Sequence, residues 1–194
     1  MTESLAAAIW ALGLVAWFAI RFPYQRRARN ILTTAAERTL YERLALPTSA
    51  VGLAVIPAIY LATGIFGFAD YRFRPWMGWC GLLVDVLFLA LFYASHRWLG
   101  RNWSVTLEIR DGHRLVTDGP YRYVRHPMYS SFWLWAIAQA LLLPNWVAGL
   151  SGVVGVGLLY FGRIGAEEAL MQKSFGDGYR SYAARTGRIF PRIF

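Results

Sequence analysis

The chain has 194 residues, of which 57% are hydrophobic and only 16% are charged. Soluble domains usually carry about 25% charged residues, so the composition favours an integral membrane protein. The formal net charge of +9 does not indicate nucleic-acid binding, because the basic residues fall between long apolar runs instead of on one folded face. Cys80 is the only cysteine, which excludes an intrachain disulfide and a cysteine-based metal site.

Three apolar runs in the first half of the chain, residues 5–20, 44–68 and 76–99, predict transmembrane helices. The first run has no basic segment before it, so we interpret it as an uncleaved anchor. Pro57 lies inside the second run and predicts a kink there, because proline removes one backbone hydrogen bond. Asp85 lies inside the third run. A carboxylate at that depth either makes an interhelical hydrogen bond or takes part in a site.

The second half of the chain has a different pattern. Residues 100–128 are polar, and two apolar runs follow, 129–143 and 146–161, which Pro144-Asn145 separates. The short break predicts a tight helical hairpin, followed by a basic tail with an amphipathic helix. We therefore predict an all-α, polytopic membrane protein with about five transmembrane helices, a C-terminal helical hairpin and a polar cytoplasmic cap.

Two regions are predicted, N-terminal transmembrane helices over residues 1–99 and a C-terminal region over residues 100–194 that contains the polar loop, the helical hairpin and the tail. The positive-inside rule places residues 21–43, 97–128 and 163–194 in the cytoplasm, with the N-terminus outside. That topology is consistent with a prokaryotic inner membrane. The two longest polar stretches then face the same compartment.

The predicted hairpin brings His126 and Tyr129, at its start, close to Arg163 and Glu167, at its end. Arg163 and Glu167 are four residues apart and share one helix face. They form either an intrahelical ion pair or contacts to a ligand, in which the arginine binds a carboxylate or phosphate. His113 and His126 are either helix-end or headgroup contacts, or members of the same site. Three histidines without an HxxxH pair predict no metal site.

The stretch Gly112–Tyr129, with Arg-His-Pro-x-Tyr, and the later Arg-x-x-x-Glu-Glu at residues 163–168 resemble the isoprenylcysteine carboxyl methyltransferase family of membrane enzymes. The resemblance runs from about Asn102 to the C-terminus. It implies S-adenosylmethionine as cofactor, S-adenosylhomocysteine as product, and a prenylated cysteine, peptide or similar lipophilic molecule as acceptor beside membrane lipids. Ser131 departs from the family pattern, since many relatives have glycine there.

The resemblance also implies that residues 100–194 form a catalytic region with a cytoplasmic cofactor-binding cap. It further implies roles for individual residues. Arg163 would bind the acceptor carboxylate, and Glu167 would hold the cofactor; both are the predicted catalytic residues. The remaining residues of the predicted cofactor site are His113, Leu115, Val116, Tyr121, His126, Pro127 and Tyr129.

A carboxylate acceptor is already ionised at neutral pH and needs no general base. An amine acceptor must first lose a proton, and Glu168 or His126 could accept it. Phospholipid and small-molecule N- or S-methyltransferases share much of the same motif, so this alternative stays open. A further alternative is a non-enzymatic membrane module whose basic loops bind anionic lipid or a protein partner.

Overall fold

The computed structural model describes residues 1–28, 33–36, 40–103, 108–110 and 114–192. Helices dominate this part of the chain, and a π-helical turn at Val51–Val55 joins α2 to α3. The elements are α1 (Glu3–Ala28), β1 (Thr33–Ala36), α2 (Leu40–Ala50), α3 (Ile56–Thr63), α4 (Pro75–Leu99), β2 (Glu108–Arg110), α5 (Pro127–Leu142) and α6 (Trp146–Arg185). The strands β1 and β2 pair antiparallel, with Thr33 opposite Arg110 and Ala36 opposite Glu108.

Within the described residues, four helical segments are long and apolar enough to cross a membrane: Glu3–Ala28, Leu44–Thr63, Pro75–Asn102 and Trp146–Arg185. The fifth helix, α5, has only 16 residues and rises about 24 Å, less than the ~30 Å hydrocarbon core. The predicted polytopic helical architecture is confirmed, and α5 is its short central member.

Helix α5 lies between α4 and α6 and also touches α1, while α2 packs on α6. Its inner face is aromatic: Trp135 stacks on Phe88 of α4, with ring centroids 4.9 Å apart. The ends of α1 and α4 meet at one end of the bundle, where the rings of Tyr24 and His96 are 5.0 Å apart. The beginning of α5 lies at this same end, since α5 runs antiparallel to α4.

The opposite end of the bundle contains the α5–α6 turn and a cavity of about 250 Å³ lined in part by Glu3, Tyr60, Asp70 and Leu143. The predicted tight hairpin is present. The side-chain oxygen of Asn145 accepts hydrogen bonds from the backbone amides of Val147 and Ala148 at 2.9 and 2.8 Å. Asparagine is a favoured N-cap because it satisfies amides that have no partner within the helix.

The predicted irregularity at Pro57 takes the form of a π-helical turn just before it. Here the amide of Ile56 bonds to the carbonyl of Val51. It therefore does not donate to the carbonyl of Gly52, which would be its acceptor in an α-helix. In the π-helical pattern Gly52 would bond to residue 57, but proline has no N–H. The Gly52 carbonyl is therefore left without a backbone donor.

Two side chains from other helices satisfy that carbonyl. Gln139 Nε2 donates to it at 3.0 Å and Ser151 Oγ at 2.7 Å. Gln139 also donates to the carbonyl of Ala148 at 2.8 Å and accepts from Trp10 Nε1 at 3.4 Å. This buried network connects α1, α5 and α6 with the π-helical turn, and it explains why a glutamine is fully buried here.

Asp85 faces the backbone of α1. A Cβ added to Gly13 would lie 2.7 Å from Asp85 Oδ2, so a larger residue at this position would require the Asp85 side chain to move. Asp85 is 4% exposed, and its Oδ1 has no hydrogen-bond partner among the described residues. The described structure therefore supplies no interhelical hydrogen bond to this oxygen.

Helix α6 is longer than expected, because it joins the predicted apolar run 146–161 to the predicted amphipathic helix in one element of 40 residues. Gly176, with φ 53° and ψ −125°, interrupts it. From Trp146, about twenty residues of helix span the ~30 Å hydrocarbon core. This rise carries Glu167 and Glu168 to the end of the bundle where α5 begins.

Candidate active site at the start of the helical hairpin

The Arg-His-Pro-x-Tyr motif forms the beginning of α5. Pro127 is the first residue of the helix, a position where its missing N–H costs nothing. The two residues before it bond to the C-terminal segment: the amides of Arg125 and His126 donate to the carbonyls of Gly187 and Arg188 at 2.8 and 2.9 Å. The C-terminal segment thus forms one wall of the region in which the motif lies.

Glu167 of α6 faces this motif. Its Oε2 accepts a hydrogen bond from the Tyr129 hydroxyl at 2.9 Å, and its Oε1 lies 3.4 Å from His126 Nδ1. Arg163, one turn earlier on α6 and 7% exposed, adds an attractive charge to the Glu167 carboxylate. The structure therefore brings together His126, Tyr129, Arg163 and Glu167, as the hairpin predicted.

Glu168 binds two arginines. Its Oε1 accepts from Arg125 Nε and Nη2 at 3.0 and 2.8 Å, and its Oε2 accepts from Arg188 Nε and Nη2 at 3.0 and 2.7 Å. The second guanidinium arm of Arg125 donates to the carbonyls of Ala183 and Thr186. Paired guanidinium–carboxylate bonds are strong and directional, so this cluster attaches the end of α6 and the C-terminal segment to the start of α5.

The two adjacent glutamates differ in accessibility. The Glu167 side chain is 30% exposed, whereas that of Glu168 is 17% exposed and both of its oxygens are bonded to arginines. A ligand with hydrogen-bond donors or positive charge can therefore reach Glu167 more readily. Glu168, through Arg125 and Arg188, connects α6 with the start of α5 and with the C-terminal segment.

His126 lies between the two carboxylates, with Nδ1 3.4 Å from Glu167 and Nε2 3.4 Å from Glu168. Burial alone would lower the pKa of His126, but the two facing carboxylates raise that pKa overall above its ordinary value of about 6.5. The imidazolium form is favoured, and a protonated imidazole is a poor general base.

Tyr121 also belongs to this region. It lies in a helical turn, Gly119–Arg122, is 7% exposed, and its carbonyl accepts from the Tyr182 hydroxyl at 2.7 Å. Burial, together with the negative charge of Glu167, raises the pKa of Tyr121 well above its usual range. The turn is fixed against α4, where Gly119 (φ 59°) leaves room for Trp98 at 2.3 Å from its ideal Cβ position.

The other predicted cofactor residues precede this turn. Leu115 and Val116 are half-buried, and Asn102 holds the chain just before them through both backbone groups of Arg114, at 3.2 and 3.3 Å. No described polar contact connects these two residues with Glu167. His113 lies outside the described residues, and its predicted role stays a prediction.

Arg125 and Arg188 were not among the predicted site residues, although the structure places both beside His126 and Glu168. The signal for them was present in the sequence. Two consecutive glutamates close to an apolar helix need cationic partners, and Arg163 can serve only one of them.

A match to the model of the isoprenylcysteine carboxyl methyltransferase (ICMT) family covers residues 81–173, which include both the Arg-His-Pro-x-Tyr and the Arg-x-x-x-Glu-Glu motif. The resemblance to this family that the Arg-His-Pro-x-Tyr and Arg-x-x-x-Glu-Glu motifs predicted is confirmed.

Curated family members are similar over different lengths. The protein-S-isoprenylcysteine O-methyltransferase B of Arabidopsis thaliana is 29% identical over 161 residues, which are 82% of this chain and 81% of that protein. The Schizosaccharomyces pombe enzyme is 41% identical over 81 residues, 42% of this chain and 34% of its own length. The human enzyme is 32% identical over 120 residues, 61% of this chain and 42% of its own length.

Among solved structures, the eukaryotic intramembrane Ras methyltransferase ICMT has the same fold. The TM-score is 0.53 at 24% sequence identity, over 81% of this chain and 54% of that chain. This chain is therefore an integral membrane protein with the fold of that methyltransferase.

Proposed function

We propose that this protein transfers a methyl group from S-adenosylmethionine to the carboxylate of a prenylcysteine-like lipophilic substrate. The observation that carries the proposal is that both candidate bases, His126 and Glu168, are already bonded to charged side chains. His126 lies between two carboxylates, and Glu168 is bonded to Arg125 and Arg188. Neither is free to accept a proton from an ammonium group, whereas a carboxylate acceptor needs no base.

The residues of the cluster fit the cofactor. Glu167 is a partly accessible carboxylate that can accept hydrogen bonds from hydroxyl or amino groups, and it can balance positive charge. The ring of Tyr129, whose hydroxyl bonds to Glu167, packs against the ring of Tyr160 with centroids 5.5 Å apart, and aromatic rings suit a sulfonium-bearing ligand. When bound, S-adenosylmethionine supplies a methyl group that is electrophilic because it is attached to a sulfonium.

The chain's own contribution is alignment and charge. We assign Glu167 to holding the cofactor, with His126 and Tyr129 fixing the orientation of its carboxylate. Arg163 supplies the positive charge that orients the acceptor carboxylate. Pro127 and Tyr121 shape the surrounding wall, and His113, Leu115 and Val116 complete the proposed cofactor site. Exclusion of water from a carboxylate nucleophile, together with alignment, is what such a transfer requires.

We further propose that residues 100–194 form the catalytic region and that it faces the cytoplasm. The support is the positive charge of the segments at this end of the bundle. A charged cofactor would then enter from water, and a lipophilic acceptor from the bilayer. The prokaryotic inner membrane stays a prediction.

The test uses purified protein in lipid nanodiscs with S-adenosylmethionine carrying a labelled methyl group and N-acetyl-S-farnesylcysteine. We expect a base-labile methyl ester. Glu167→Gln should abolish its formation, and Glu3→Gln, at the opposite end of the bundle, should not. A base-stable methylated product from lipid extracts, with no ester from the farnesylated acid, would instead identify an N- or S-methyltransferase.

A further inference from the structure

Arg21, near the end of α1, lies between two indole rings. Its Cζ atom is 5.4 Å from the ring centroid of Trp17 and 5.4 Å from that of Trp103. Arg21 lies at the same end of the bundle as His126 and Glu167 and is partly exposed. Among the described residues, no carboxylate pairs with this guanidinium and no oxygen accepts a hydrogen bond from it.

The neighbours of Arg21 are aromatic or neutral. Trp103 is 2% exposed and its ring lies 4.9 Å from that of His96, which lies 5.0 Å from that of Tyr24. His96 Nδ1 is 2.9 Å from the carbonyl of Phe92. A carbonyl can only accept, so Nδ1 carries the hydrogen. The cluster thus contains a fixed cation and no described anion.

A partly buried charge without a counter-ion is costly, so its environment must supply one. Contact with two indole rings occupies the π-surface of the guanidinium and does not use its N–H groups. The edge that carries those groups matches the oxygens of a phosphate. The next two arginines repeat the arrangement, since Arg26 and Arg27 each lie over an aromatic ring, at 5.9 and 6.0 Å.

The surface beside Arg21 indicates where the phosphate comes from. Val15, Phe18 and Phe22 of α1 are 63%, 56% and 60% exposed, and their spacing places them on one face of the helix. Phe18 and Phe22 are adjacent to Arg21 on that surface. An apolar strip that ends at an anion-binding edge suits acyl chains below a headgroup, and a free phosphate would make no use of it.

We propose that Arg21, held between Trp17 and Trp103, binds the phosphodiester of an anionic phospholipid in the leaflet at the active-site end of the bundle. The acyl chains lie along Val15, Phe18 and Phe22. This inference does not depend on the methyl-transfer chemistry. It differs from general attraction between basic loops and anionic membranes, because one residue carries the binding.

The test measures binding of phosphatidylglycerol to the purified 194-residue chain by native mass spectrometry, with phosphatidylcholine and inorganic phosphate as the other two probes. Arg21→Gln should weaken phosphatidylglycerol binding by about fivefold or more. Arg97→Gln removes the same charge from an exposed position at the same end of the bundle, at the end of α4, and should leave binding unchanged. Arg21→Lys, which keeps the charge without the planar edge, should bind with intermediate affinity.

Unfolding midpoints measured without lipid establish that the variants are folded. Equal losses for Arg21→Gln and Arg97→Gln would show diffuse electrostatic attraction and overturn the proposal. Equal binding of phosphatidylcholine and phosphatidylglycerol by the unsubstituted protein would overturn it as well. If inorganic phosphate displaced phosphatidylglycerol, the ligand of Arg21 would be a free anion, and the lipid proposal would be overturned.

Discussion

The hydroxyl of Tyr129 donates a hydrogen bond to Oε2 of Glu167 at 2.9 Å, and this contact joins the first turn of α5 to a position on α6 38 residues later in the chain. It depends on the short turn at Asn145 and on the length of α6, which returns across the membrane and continues beyond it. The Arg-His-Pro-x-Tyr and Arg-x-x-x-Glu-Glu motifs therefore meet because the hairpin closes.

We predict that stability falls as pH rises above about 6.5 because of His126. The raised pKa of His126 means that the folded protein keeps this proton at pH values where the unfolded chain has released it. The stabilisation is complete below the unfolded value and is lost as pH rises through the folded value. Thermal unfolding midpoints in detergent between pH 5.5 and 9 measure the effect. An unchanged pH profile in His126→Gln would contradict it.

Substitution of the two glutamates should have opposite consequences. Glu168→Gln leaves Arg125, 9% exposed, without its carboxylate, and should cost about 3 kcal/mol of stability. Glu167→Gln keeps an acceptor for Tyr129 and should change stability by less than about 1 kcal/mol, while cofactor binding is lost. Unfolding midpoints and calorimetric titration with S-adenosylmethionine separate the two effects. Loss of stability in Glu167→Gln with normal binding would reverse the assignment.

Gln139→Leu should destabilise the protein by about 1–2 kcal/mol, because the Gly52 and Ala148 carbonyls both lose the amide donor and are left with the single hydroxyl of Ser151. The matched control is Ile137→Ala, a substitution on the same helix at a side chain that is 45% exposed. Unfolding in detergent is the measurement. Equal effects of the two substitutions would show that the buried network contributes nothing specific.

Gly187→Ala should detach the C-terminal segment, because the added Cβ would lie 1.7 Å from the carbonyl oxygen of Phe190. The amides of Arg125 and His126 bond to this segment, so their hydrogen exchange should become faster. Gly178→Ala is the control, since nothing lies within 4 Å of its Cβ position. Exchange measured by mass spectrometry should remain slow in that variant.

Gly13→Ala should destabilise the contact between α1 and α4, since its Cβ would lie 2.7 Å from the Asp85 carboxylate. Asp85→Ala removes the obstructing group, so the double variant should recover much of the loss. Additive effects of the two substitutions in a double-mutant cycle would argue against a direct contact.

Much of the architecture could be predicted from the sequence, because the thickness of the bilayer sets the length of the apolar runs that cross it. The runs 5–20, 44–68 and 76–99 each correspond to helices, and Pro144-Asn145 marks a turn whose asparagine caps α6. The position of the irregularity at Pro57 was also predictable, but its form was not. A π-helical turn is stable here only because Gln139 and Ser151, distant in sequence, satisfy the carbonyl it leaves free.

The site was predictable where one hairpin determines distance, which applies to His126, Tyr129, Arg163 and Glu167. The sequence indicated that Glu168 needs a cationic partner but not which arginines would supply it, because Arg188 reaches Glu168 through the path of the C-terminal segment. Hydropathy contains no information about that path. The length of α6 was likewise hidden, because the polar residues after Phe161 look like the beginning of a loop.

The backbone bonds from Arg125 and His126 to Gly187 and Arg188 have a consequence for biosynthesis. The motif at the start of α5 can enter the membrane early, yet its surrounding wall is made only when residues near 189 have been synthesised and α6 has inserted. Until the C-terminal segment has been synthesised, the amides of Arg125 and His126 lack their carbonyl partners, and Glu168 lacks Arg188. Assembly of the site should be among the last steps of folding.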